Sequence, residues 1–403
     1  MAKPGSLRFS YFILFMCLLT TGMGQSLVFA ILPPLGRQLG LQEIQVGLII
    51  TCSSLTFFLI SPFWGRRCDE MGRKSVILIG QLGYTFGTLF FASAFLVGLK
   101  GIVTGLPLYI LIVVSRMFQA SLYSASAPGA TAFVADVTSN DERAAGMGRL
   151  GAARNLGMIL GPGVSGLLAV VSLLLPLYFA ATLTLIVAGL IWLFLENPPR
   201  VESVQEEFFK LSYFDRRYVS YMIVGVVMFT AFAVINQTIG FYYQDRFTLD
   251  GKATAQAVGV GMMASAIMSI IAQGALVQGL HWEPLRLIRA GTPVMLVAFL
   301  MLLFGNNLPV LIGAMAVLGL GFGLAGPGFT AGASLTVGPD EQGALAGLTS
   351  ACPSSGFIIG PLIGTGLYQL NPIYPFLFIS LLFIPLIIFI YRIKPPPNLL
   401  THI

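Results

Sequence analysis

Three dipeptides recur in this chain at one offset of 199 residues: Pro128-Gly129 returns as Pro327-Gly328, Asp141-Glu142 as Asp340-Glu341, and Gly161-Pro162 as Gly360-Pro361. Thr131, Ala132, Gly148 and Gly157 return at the same distance as Thr330, Ala331, Gly347 and Gly356. The chain reads as a duplication, so whatever one half folds into, the other must fold into as well.

What each half can be follows from composition. With 56% hydrophobic and 9% charged residues, the chain is far from the roughly 25% charged residues of a soluble domain. A helix needs about 20 mostly apolar residues to cross the hydrocarbon of a bilayer. Twelve stretches qualify, near 9–32, 44–64, 75–98, 107–136, 144–170, 176–195, 218–244, 255–280, 287–304, 309–335, 343–368 and 374–392. This predicts an all-α integral membrane fold in the lipid bilayer. An offset of 199 residues contains six spans, an even number, so the halves are parallel repeats, with a ligand path expected between them. The expected division is 1–195, a linker at 196–217, and 218–403. The linker opens with Pro198-Pro199, and the spacing of Glu202, Glu206, Glu207 and its phenylalanines allows a short amphipathic surface helix.

Charge sets the orientation. With the N-terminus inside, Arg37, Lys100, Arg246 and Lys252 lie outside and Arg116 and Arg154 within spans, leaving sixteen of the 22 Lys and Arg in inner segments. Positive residues gather in cytoplasmic loops, which predicts both termini in the cytoplasm, compact loops of the kind found in a bacterial inner membrane, and a monomer. The net charge of +6 is this asymmetry and gives no reason to expect a nucleic-acid partner. The first span, about 24 residues, is longer than a signal-peptide core and is read as retained. Cys17, Cys52 and Cys352 fall in spans and Cys68 in an inner loop, so no disulfide framework is expected.

Between spans two and three runs Gly65-Arg66-Arg67-Cys68-Asp69-Glu70-Met71-Gly72-Arg73-Lys74. Asp69 at the inner end of span two is placed to face the N-terminus of span eleven, where a helix dipole favours an anion. Gly65 and Gly72 are expected to let the loop turn tightly. The plainer alternative, a basic inner-surface anchor, explains the four cations but not the Asp and Gly spacing. The run resembles the G-x-x-x-D-x-x-G-R-K/R signature of the major facilitator superfamily, whose span count this chain shares along its full length. The resemblance implies a transporter, a pairing of Arg73 with Asp136 at the inner end of span four, and an inner gate formed by Gly65, Asp69, Gly72, Arg73, Lys74 and Asp136.

Span four carries Arg116, Gln119 and Tyr123, spaced so that the three share one helical face. A mid-span charge is costly and usually faces a cavity or a partner; the alternative is an Arg holding buried backbone carbonyls. Arg116 to Ala120 resembles the family's R-x-x-Q-G motif, with Ala120 in place of Gly, and in the family that Arg is linked to proton coupling. Span five holds Gly157, Gly161, Pro162 and Gly166, resembling the antiporter motif G-x-x-x-G-P-x-x-G-G with Leu167 in place of the last Gly. That motif implies export. Glycines four apart also simply let helices approach closely.

Arg154 lies one turn before Gly157, either in the cavity or turned aside toward a helix-end acid. None of the sixteen acidic residues falls near a midplane. Arg116 and Arg154 without a central carboxylate favour neutral or anionic substrates over cations. Thr21 and Gln25 in span one, and Asn236, Gln237, Tyr242 and Tyr243 in span seven, are further cavity candidates. Proton coupling needs a titrating group, and the candidates are Glu43, Asp136 and Asp245.

The leading expectation is a secondary transporter that exports a small amphipathic organic compound, neutral or anionic, by alternating access in exchange for protons. An exporter of an anionic metabolite or carboxylate-rich siderophore, and a non-transporting membrane enzyme or receptor, are the alternatives. Gly146-Met147-Gly148-Arg149-Leu150-Gly151 mimics a dinucleotide loop, but no strand precedes it. There is no phosphate-binding loop, and His281 and His402 are far apart, so no ATP drive, metal, cofactor or catalytic residue is expected.

Overall fold

The computed structural model describes residues 4–138, 140–197, 212, 214–277, 279, 282–338 and 341–393, and the side chains of all of these but 4–7 and 140–145. The linker helix expected at 196–217 falls almost wholly outside the described residues, as do His281, Asp340 and His402 and the side chain of Asp141. The described residues hold helices and turns and no strand. The helices are α1 (Pro4–Gln38), α2 (Glu43–Met71), α3 (Arg73–Leu99), α4 (Gly105–Tyr123), α5 (Ser126–Val137), α6 (Asn140–Ala169), α7 (Leu175–Phe194), α8 (Val219–Phe247) and α9 (Gly251–Ile271). A π-helical turn, Ala272–Val277, follows, then α10 (Pro284–Phe304), α11 (Leu308–Ser334), α12 (Gln342–Leu370) and α13 (Tyr374–Arg392). Large apolar side chains remain on the outside, among them Leu59, Leu167, Trp192, Phe304 and Leu370. A soluble protein does not keep such a surface, whereas hydrocarbon solvates it.

Among the described residues eleven segments are both long and apolar enough to span a bilayer. The remaining stretch, expected at 144–170, lies in α6, which has 30 residues but is diluted by Arg149, Arg154 and a run of glycines. The span expected at 107–136 is two helices, α4 and α5, broken at Ser124-Ala125. Pro128 is the cause, because it has no N–H to return to the Ser124 carbonyl and its ring crowds that turn. The helix resumes with the Gly129 N–H donating to the Ala125 carbonyl at 3.1 Å.

The chain forms two compact units, residues 1–203 with 248–259, and residues 204–247 with 260–403. The start of α9 joins the first unit because Gly259 leaves room for the Pro162 carbonyl and Gly251 sits among Pro34, Gln38 and Leu173.

Each unit is built on one glycine seam. In the first, a side chain at Gly157 would strike the Leu19 carbonyl, and one at Gly161 the Met23 carbonyl, so α6 rests directly on the α1 backbone. In the second, a side chain at Gly356 would strike Phe229 at 2.6 Å and one at Gly360 the Thr230 carbonyl at 2.9 Å, so α12 rests on α8. Gly161 also faces the Leu27 N–H, and Gly360 the Val234 N–H. Met23 and Leu27 thus correspond to Thr230 and Val234, an offset of 207, although Gly161 and Gly360 stand 199 apart. The constant offset expected from the sequence does not reach the first span of each half. Eight residues are missing from the second half between its first and fourth spans, the interval that holds the Gly65–Lys74 motif in the first half.

Candidate functional site

Inside the first unit α1, α2, α3, α4 and α6 bring together a polar cluster. Arg116 is only 8% exposed. Its Nη1 donates to the Gln119 carbonyl oxygen, the Gln119 amide donates to Thr88, and the Thr88 hydroxyl donates to the Tyr84 carbonyl at 2.7 Å. The guanidinium stands over the Phe91 ring, 5.3 Å from its centroid, a favourable place for a cation. Gly87 makes the cluster possible, because a side chain there would meet the Gln119 backbone at 2.6 Å. Among the described residues the Arg116 Nε has no hydrogen-bond partner.

One turn on, Tyr123 packs its ring on Phe57 at 5.1 Å and on Tyr84 at 5.4 Å. Its hydroxyl lies within reach of Gln25 and Arg154. Arg154, half-buried, points its Nη2 at the Gln25 carbonyl oxygen, a long contact of 3.5 Å. The same-face pattern of Arg116, Gln119 and Tyr123 therefore closes into a cluster with Arg154 and Gln25. Among the described residues no carboxylate lies within ion-pair distance of either arginine. Arg154 faces an amide and a hydroxyl, and among the described residues no helix-end acid of the kind allowed as its alternative. Thr21 is not turned toward this cluster by any contact seen here, since its hydroxyl bonds back to the Cys17 carbonyl at 2.9 Å.

The loop motif is mostly helix. Gly65 lies inside α2, where a side chain would meet nothing, so the tight turn expected of it is not there. α2 runs on because its last turns contain no breaker after Pro62. Gly72 alone makes the corner, at φ +85°, a backbone that L side chains rarely adopt. Arg73 donates from Nε to Asp136 at 2.7 Å and from Nη1 to Asp69 at 2.6 Å, tying the ends of α2 and α5 to the start of α3. Lys74 turns the other way and donates to the Trp192 carbonyl at 2.8 Å.

Of the other candidates, Glu43 pairs with Arg37 at 2.8 Å. Asp245 accepts from the Tyr368 hydroxyl at 2.7 Å. Asn236 donates to the Phe232 carbonyl at 2.7 Å, and among the described residues the buried Gln237 amide has no hydrogen-bond partner on either atom. The Tyr242 hydroxyl donates to the Leu302 carbonyl at 3.0 Å, while that of Tyr243 is buried without a partner among the described residues. Gly166 lies against Ala255 and Gln256 of α9. In the second unit Arg217 donates to Glu341 with both terminal nitrogens, at 2.8 and 2.9 Å, and to Asp215 at 2.9 Å. These bonds hold both carboxyls below the usual carboxylate range. Among the described residues no three His, Cys, Asp or Glu gather as metal ligands.

Residues 14–353 and 281–402 match the profile of the Major Facilitator Superfamily. The chain belongs to that superfamily. Multidrug resistance protein 1 of Bacillus subtilis (strain 168) is 30% identical over 364 residues, covering 88% of this chain and 89% of that protein. The quinolone resistance protein NorA of Staphylococcus aureus (strain COL) is 27% identical over 379 residues, 92% of this chain and 93% of that protein. The crystal structure of the human organic anion transporter MFSD10 (TETRAN) superposes with a TM-score of 0.68 over 96% of this chain and all of that one, at 20% identity, a likeness of fold alone. The protein is a multi-pass membrane transporter of the major facilitator fold.

Within this superfamily member, sequence reasoning missed Phe57, Tyr84, Thr88 and Phe91. Tyr84, Thr88 and Phe91 recur at helical spacing on one face of α3, a signal that was available. That this face meets Arg116 is set by Gly83 and Gly87, which admit Leu122 and Gln119 of α4.

Proposed function

We propose that this transporter exports small amphipathic organic compounds, neutral or anionic, by alternating access in exchange for protons, across a bacterial inner membrane with both termini in the cytoplasm. The observation that carries it is the family membership with full-length relatives named for multidrug and quinolone resistance. The α6 glycines and Pro162, which resemble the antiporter motif, support export over import. We read Asp69, Arg73 and Asp136 as the inner gate with Gly72 as its corner.

Glu43, Asp136 and Asp245 are the candidates for the coupling proton: Glu43 pairs with Arg37 at 2.8 Å, Asp136 with Arg73 at 2.7 Å, and Asp245 accepts from the Tyr368 hydroxyl at 2.7 Å. The test is purified protein in liposomes with an imposed pH gradient. Accumulation of a fluorescent amphipathic dye, collapsed by a protonophore and abolished by at least one of Glu43→Gln, Asp136→Asn and Asp245→Asn, is the expected result. Dye movement indifferent to the gradient overturns the coupling, and no movement of any member of a broad panel overturns the export reading.

A further inference from the structure

The two arginines of the first unit differ in what they have left to offer. The Arg116 guanidinium is almost wholly buried, donates to Gln119 and covers the Phe91 ring. Its chain of bonds through Gln119 and Thr88 ends at the Tyr84 backbone, and the Tyr84 ring is one wall of the Tyr123 site. Arg154 is half-buried, and it reaches the Gln25 side-chain oxygen only at a long 3.5 Å and the Tyr123 hydroxyl besides. A guanidinium has five N–H donors in a fixed fork that fits a carboxylate bidentately. Most of that capacity is unused at Arg154, and no described carboxylate is near enough to take it.

Around Arg154 stand the groups that complete an anion site. The Tyr123 hydroxyl is within reach of the same guanidinium and of Gln25, and the Phe57 ring lies 5.1 Å from that of Tyr123, tilted by 31°. A cation, a hydroxyl donor and an amide beside aromatic rings match an aromatic molecule with a carboxylate at its edge. The Arg154 backbone is fixed as well, because Gly22 lets its carbonyl touch α1. The second unit has no copy. By the two offsets, Gln25, Tyr123 and Arg154 correspond to Phe232, Phe322 and Pro353, none of which carries charge.

We propose that Arg154, Tyr123 and Gln25 form a single anion subsite that binds the carboxylate of aromatic organic acids. The inference rests on the export reading for its physiological sense and names the substrate class of the same site, but binding alone tests it. Purified full-length protein in detergent at pH 7.5 is titrated calorimetrically with 2-naphthoate and with 2-naphthamide, which share the ring system and differ in the charge. The wild type is expected to favour naphthoate at least tenfold. Arg154→Gln should bring the two affinities within twofold, Arg154→Lys should keep part of the preference, and Tyr123→Phe should reduce it about threefold. Equal affinities in the wild type, or a preference unchanged by Arg154→Gln, overturn the subsite. If Arg154→Gln does not fold, Arg154→Lys and Tyr123→Phe decide it in the same way, with an undiminished preference in both counting against it. A naphthoate preference with no transport of any member of the broad panel in liposomes sustains the subsite and sinks export, and transport without a naphthoate preference does the reverse.

Discussion

Where the first unit sets Gln25 beside Tyr123, the second stacks Phe232 on Phe322 at 4.9 Å, with Phe229 edge-on to Phe322 at 5.3 Å. Where the first unit has Arg116, Gln119 and Arg154, the second has Met315, Leu318 and Pro353. The seams behind these residues are alike, with Gly157 and Gly161 on α1 and Gly356 and Gly360 on α8. Close helix approach requires the absence of a side chain, so a seam tolerates little change. The side chains beside it are free to change so long as each unit satisfies its own buried groups. Duplication here preserved backbone contact and let the chemistry diverge: one unit buries cations and their amide and hydroxyl partners, the other an aromatic cluster.

The most severe test of that divergence is to move the charge. Met315→Arg should cost more than about 3 kcal/mol, because position 315 is buried and Leu318 replaces the amide that Gln119 supplies to Arg116. Folded yield should fall close to nothing, while the reverse change, Arg116→Met, should leave folded protein. Comparable yields would mean that the polar network is not what makes the charge tolerable. Next in size, Gly157→Leu and Gly356→Leu should each lower the thermal midpoint by the equivalent of about 1–3 kcal/mol or more, since both force a side chain into backbone. Tolerance of one alone would break the equivalence of the seams.

The polar ends of the spans differ in the same way between units. Asp136→Asn should cost about 1.5–3 kcal/mol, measured by thermal unfolding, because it removes a charge-assisted bond from a pair whose side chains are 16% and 15% exposed. Arg217→Gln in the second unit should do less, because the Arg217 side chain is 45% exposed, against 16% for Arg73. That difference has a pH signature. Arg217 lowers the Asp215 and Glu341 carboxyls in the folded state. Its stabilisation is therefore fully present above the ordinary carboxylate value of about 4 and is lost as pH falls through the lowered values. The gap between wild type and Arg217→Gln should be constant from about pH 8 to 5 and close below about pH 4. A gap that closes near neutrality would assign it to other groups.

Much of the fold was legible because hydrocarbon imposes length and apolarity on every span, and the same-face spacing of Arg116, Gln119 and Tyr123 needs only helical geometry. The Arg73 to Asp136 pair came through family resemblance. The break at Ser124-Ala125 is written in Pro128, but a proline is tolerated within a membrane span, so the run still reads as one crossing. Glycine permits a turn at Gly65 without requiring one, and the helix runs on. The pairing of Gln25 with Phe232 was out of reach of a single offset, since eight residues are lost upstream of the matching dipeptides. Arg154 could be placed on its helix face, but its neighbours come from α1 and α4, and only the seam says which residues those are.

Gly22 is the small end of that seam. A methyl group there would collide with the Arg154 carbonyl and meet its Cα at 3.3 Å, so the missing side chain acts as a ruler between two helices. The guanidinium at the far end of Arg154 is long and has many rotamers, yet its root is held by main chain on main chain. Whatever α1 does in a change of state, the base of that arginine must follow it, and the cation travels with the wall of the unit instead of lagging behind as a loose arm.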